Sequence, residues 1–284
     1  MKKLIFIATI ILLAAACGPR QPAEQEAEQL PEEVAEQPPE PAILQAGNLL
    51  GHHTINYELA PGVTLDEYLE FLKDEYAPAW EKHFPGVKGF ILEGRTGECA
   101  GCTGFLFFIE SDEVRDKYWR ADGSLTEEGE AASEKMQPVV EKRDKLAEHS
   151  TSYTDWEITG DSGIPGPELQ AGNLLGLHTM HYELAPGVTT DEFLDFIRDE
   201  SIPAWDNHFP GLRTYLLHGR TGECAGCYGF LIFLESDEVR DKYWQADGSY
   251  TELGEAAYEK IQPVSEKGSK LFDYTTTYTD WVIQ

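Results

Sequence analysis

Basic residues are scarce in this chain of 284 residues: 22 Lys and Arg stand against 51 Asp and Glu, a formal charge of −29. That imbalance excludes recognition of nucleic acid through phosphate contacts and adhesion to anionic lipid by charge, since both need a positive surface. Cysteine is nearly as sparse, with five in all: Cys17, then Cys99 and Cys102, then Cys224 and Cys227. Thr103 and Tyr228 follow the two CxxC pairs where covalent haem attachment requires histidine, which excludes that chemistry. There is no P-loop, dinucleotide glycine pattern, HExxH, serine triad signature or EF-hand loop. The apolar run from Leu4 to Leu13 is too short to cross a bilayer as a helix.

That run follows Lys2 and Lys3 and leads into Ala14, Ala15, Ala16 and Cys17, the order of a secretory signal. Small residues directly before cysteine resemble a bacterial lipoprotein signal, which makes residues 1–16 the cleaved peptide and Cys17 the lipidated N-terminus. The expected partner of this end is a membrane, and the expected location is the outer membrane, facing the periplasm or the cell surface, because Gly18 rather than Asp follows Cys17. Residues 17–43 are rich in Pro, Glu and Gln, with seven Glu against one Arg. Such a segment cannot bury enough apolar surface to offset its ordering, and its like charges extend it. It reads as an acidic tether.

The rest of the chain is a duplication. Leu44 aligned with Leu169 keeps the halves in register without a gap, at an offset of 125 positions, to the C-terminus. Gly94 to Cys102 recurs as Gly219 to Cys227, and Asp112 to Trp119 as Asp237 to Trp244. A period of this size indicates two domain-like units rather than a repeat array. The first occupies 44–159 and the second 169–284, with a Gly- and Pro-rich linker at 160–168. Extended, that linker spans up to about 33 Å.

Within one unit, Leu49 to Leu59 has strand character, and Thr64 is placed to cap a helix running to about His83 with a kink near Asp74 to Ala77 before Pro78. Val87 to Arg95 and Thr103 to Glu110 form a hairpin. Ser111 caps a short helix, and Thr126 begins another towards Leu146 that Pro138 is expected to divide; Thr151 to Ile158 is the last strand. The order is βαββαβ. Phe105, Phe107 and Ile109 alternate with Leu106 and Phe108, so both faces of the third strand need cover. The unit's own helices cover one face, and the second unit is the expected cover of the other. The fold class is α+β: two tandem ferredoxin-like units packed sheet to sheet as an intramolecular dimeric α/β barrel, a monomer acting as an internal pseudo-dimer.

Tyr57-Glu58-Leu59-Ala60-Pro61-Gly62, Glu75-Tyr76-Ala77-Pro78-Ala79-Trp80, and Phe108-Ile109-Glu110-Ser111 followed by Arg115-Asp116-Lys117-Tyr118-Trp119 resemble the dimeric α/β-barrel superfamily, particularly its NIPSNAP and antibiotic-biosynthesis-monooxygenase-like branches. The resemblance implies the fold in both halves. For function it implies a range, from cofactor-independent monooxygenases and haem enzymes to proteins without catalysis.

The CxxC pairs suit three chemistries: a disulfide within each hairpin, a shared four-thiolate zinc site, or thiol exchange. The first is the simplest in an oxidising compartment. His53 and His178 are candidates for base, haem ligand or hydrogen-bonded core residue. Glu75 and Glu200 are candidate general bases, and Arg95 and Arg220 candidate carboxylate binders unless they pair with nearby acids. His83 and His208 either bind a ligand or close a helix end. The expected function is binding of a small, partly apolar ligand or service as an interaction module. An oxygenase or haem enzyme and a metal or redox module are the alternatives.

Overall fold

A computed structural model describes residues 41–245 and 248–284; the expected signal peptide, Cys17 and most of the expected tether lie outside the described residues. The first half runs β1 (Leu49–Leu59), α1 (Leu65–Phe71), a π-helical segment (Leu72–Tyr76), α2 (Ala77–His83), β2 (Val87–Gly97), β3 (Thr103–Ile109), α3 (Asp112–Tyr118), α4 (Glu127–Leu146) and β4 (Ala147–Gly160). The second runs β5 (Leu174–Leu184), α5 (Thr190–Phe196), a π segment (Ile197–Ser201), α6 (Ile202–His208), β6 (Leu212–Gly222), β7 (Tyr228–Leu234), α7 (Asp237–Tyr243), α8 (Glu252–Gly268) and β8 (Phe272–Ile283).

The expected helix starts hold. Thr64 and Glu67 form a reciprocal capping box, Ser111 accepts from the Val114 amide, and Thr126 from that of Gly129. Ahead of Pro78 the helix turns π: the Ala77 amide reaches back five residues to the Leu72 carbonyl, a local widening next to a residue without an N–H. Pro138, by contrast, does not divide α4. It lies on the exposed side with Glu134, so the carbonyl that loses its intrahelical partner faces water instead of the core. The last strand is longer than expected, because Ala147 to Glu157 pairs with β1 along its whole length before the chain leaves to meet β6.

All strand pairs are antiparallel, and they close into a barrel in the order β1-β3-β2-β8-β5-β7-β6-β4. The seams β2–β8 and β4–β6 join one half to the other edge to edge. The halves therefore do not merely stack two sheets: shared hydrogen bonds leave no open edge, and bulges at Gly94/Thr96 and Asp155/Trp156 bend the strands into closure.

The two-faced third strand is covered as its sequence demands. Leu106 and Phe108 join Trp156, Leu231, Phe233 and Trp281 in the barrel interior, while Phe105 packs outward with Phe107 and Ile109 against the helices. Around an antiparallel ring, strands an even number of places apart run parallel, so β2 and β6, four apart, carry both CxxC hairpins to the same barrel end. At the other end Leu44 and Leu169 close the interior, held by Leu44 N–H to Pro167 O and Leu169 N–H to Ala42 O.

Candidate functional site

Between the outer face of the first-half sheet and its helices lies a cavity of about 60 Å³. β1 supplies His53 and Ile55, β3 supplies Phe105 and Phe107, and β4 supplies His149 and Thr151. From above come Tyr68 of α1, Leu72 and Tyr76 of the π segment, and Arg143 of α4. The walls are apolar, with a few polar groups converging on the space, the usual composition of a small-molecule site.

Tyr68 is only 1% exposed, yet its hydroxyl has no hydrogen-bond partner among the described residues. Burial pushes its pKa up to about 12 against the opposing pull of Arg143, so it is a neutral donor at any physiological pH. Arg143 lies over the Tyr76 ring at 5.2 Å and donates to the Tyr76 hydroxyl at 2.9 Å. Its other contacts, from Nε and Nη2, go to Asp144 outside the cavity.

His53 stacks on Tyr153 with ring centres 5.2 Å apart and meets Phe107 edge-on. Burial lowers its pKa against the opposing charge of Asp155; burial and then Arg143 lower that of His149. Both imidazoles are neutral at pH 7.

His178 repeats the arrangement in the second half, stacked on Tyr278 at 5.0 Å with its pKa lowered by burial and opposed by Asp280. The other candidates lie away from the cavity. Glu75 pairs with Lys142 and Glu200 with Lys267. Arg95 reaches across to Asp237, and Arg220 to Asp112 and Glu157, so both arginines tie strands of one half to acids of the other. His83 and His208 are half-buried at the ends of α2 and α6, without hydrogen bonds from their rings among the described residues.

Both CxxC pairs are disulfides with Cα atoms 5.3 Å apart, within the range the bond requires. Their sulfurs are thereby committed to one another, which corrects the zinc alternative. No group of three His, Cys, Asp or Glu among the described residues could hold a metal ion. Each hairpin docks on the other half: the Cys99 amide donates to Thr279 Oγ1 at 3.2 Å and that of Cys224 to Thr154 Oγ1 at 3.3 Å. Gly94 and Gly219 permit the tight loop, since a Cβ there would lie 2.0 Å from the carbonyl oxygen of Cys99 or Cys224.

The sequence reading missed His52, which faces the barrel interior with its Nε2 sealed from solvent and unpartnered. It also passed over Tyr68 as a site residue and over Arg143 and His149. The signal was available in the repeat, where Phe193, Gly268 and Tyr274 stand at the matching positions.

Haem does not fit. Pockets for larger ligands run to about 300 Å³ or more, whereas this cavity holds about 60 Å³ and the barrel interior about 10 Å³, room for one water.

No family model and no curated protein matches the chain. Among solved structures, a heme-binding protein from Thermus thermophilus aligns at 11% identity and a TM-score of 0.47, over 87% of this chain and 95% of that one. An anthrone oxidase-like protein aligns at 14% and 0.44, over 87% and 94%. A chlorite dismutase from Candidatus Nitrospira defluvii aligns at 8% and 0.43, over 84% and 92%.

Proposed function

We propose that this protein is an exported, lipid-anchored binding module that holds a small, partly apolar molecule in the first-half cavity. Cys17 carries the lipid, the acidic segment to residue 43 is the spacer, and two duplicated units at 44–159 and 169–284 act together as an internal pseudo-dimer around the 160–168 linker. The observation that carries the binding role is this largely apolar cavity with Tyr68 in its wall, a buried residue whose hydroxyl makes no hydrogen bond among the described residues. That hydroxyl is a donor left free for an acceptor on a ligand.

Ligand-observed NMR with a library of small acids, amides and alcohols tests this. Thr151 is exposed at the cavity mouth on a strand, where an aromatic residue is well tolerated. Thr151→Trp should abolish binding without lowering the melting temperature; undiminished binding in that variant, or no binding by any library member, would remove the proposal. Oxygen uptake in the same titrations would extend binding to monooxygenase-like chemistry, with neutral His53 as the group placed to accept a proton.

A further inference from the structure

The duplication supplies an internal comparison. At the cavity, His53 and Thr151 keep their identity in the second half as His178 and Thr276, and Leu72 and Phe105 stay apolar as Ile197 and Phe230. The Glu75–Lys142 ion pair recurs as Glu200–Lys267. Four other polar members do not recur. Tyr68 becomes Phe193, Tyr76 becomes Ser201, Arg143 becomes Gly268 and His149 becomes Tyr274.

The local consequences follow from these residues. Gly268 is the last residue of α8, which ends at the position matching Arg143, whereas α4 continues to Leu146. A side chain at 268 would meet the Phe196 ring at 3.0 Å. Phe193, fully buried, stacks on Tyr182 at 4.7 Å and packs edge-on against Phe272 at 4.6 Å. The second half thus has neither the charge nor the hydroxyl.

In the first half Arg143 is the one lining residue with a permanent charge, and its side chain is 16% exposed. Its Nε, Nη1 and Nη2 each make one bond. Of the five guanidinium N–H groups, two remain. Arg143 and Tyr68 both line the cavity, and a guanidinium beside a hydroxyl matches a carboxylate. The cavity is well below the roughly 150 Å³ that encloses benzene, so the body attached to that carboxylate is short.

We infer that the first-half cavity takes a short-chain monocarboxylate, one molecule per chain, with its carboxylate held by Arg143 and Tyr68. This rests on the binding role given above and names its ligand class. Calorimetric titration of the full-length chain in detergent with isobutyrate and, separately, with uncharged isobutyramide tests it. Isobutyrate should saturate one site per chain and bind at least about tenfold more tightly than the amide, since a charge-assisted contact is about twice as strong as a neutral one. Arg143→Gln should remove that difference, and Arg143→Lys should restore part of it.

Equal binding of acid and amide, two sites per chain, no binding of isobutyrate, or an Arg143→Gln variant that binds as before would each overturn the inference. Thr151→Trp separates the two levels. If it abolishes binding that Arg143→Gln leaves intact, the cavity stands and the carboxylate assignment falls; if it changes nothing, the cavity itself is not the site.

Discussion

His52 and His53 are neighbours in sequence that point to opposite sides of β1. His53 faces the helices and the cavity, while His52 faces the barrel interior, its ring 4.9 Å from that of Trp281. The matching interior residue is Leu177, so the fold does not need an imidazole there. Burial, with His53 adding a smaller effect, holds the His52 pKa down to about 3. Below pH 6.5 the unfolded chain therefore takes up a proton that the folded chain refuses, and stability is lost as pH falls from 6.5 towards 3. His52→Leu should flatten that part of the melting-temperature profile and add about 1–3 kcal/mol at pH 7 by removing an unmet polar atom. His53, His149 and His178, also lowered, leave a residual slope. Melts from pH 4 to 8 decide it: a profile unchanged from the parent protein would mean that His52 is not sealed in the interior. Strand alternation made the two-sidedness of this residue pair legible, but not which side holds the cavity.

At the scale of elements, β3 was the most informative stretch of the sequence. Its alternation of Phe105, Phe107 and Ile109 with Leu106 and Phe108 demanded cover on both faces, and the structure meets the demand with helices outside and the other half's strands inside. The helix starts at Thr64, Ser111 and Thr126 were legible because capping is a local interaction between residues three apart. Pro138 misled because the cost of a helix proline depends on which side of the helix meets water, a tertiary property. Since Phe108 belongs to an interior built from both halves, Phe108→Ala should cost about 3–5 kcal/mol and lower one shared transition in urea, monitored by tryptophan fluorescence and by far-UV dichroism. Two separate transitions, with only the first-half one shifted, would contradict a common core.

For the molecule as a whole, the acidic excess and the signal-like N-terminus concern environment rather than fold. The anchor is tested by feeding labelled palmitate to a bacterial host: label should enter the full-length chain and be absent from Cys17→Ser, and label retained in that variant would refute lipidation at this residue. The sequence alone determined the βαββαβ order of each half, the duplication at an offset of 125, and the pairing of β2 with β3, because periodicity, capping and hairpin spacing act over a few residues. Tertiary structure alone decided that the two sheets join by their edges, that Arg95 and Arg220 serve the seams, and that Tyr68, Arg143 and His149 meet around one cavity of the first half. Each of those depends on residues far apart in the chain meeting in space, where a single change such as Arg143 against Gly268 alters a site without disturbing the pattern that makes the fold.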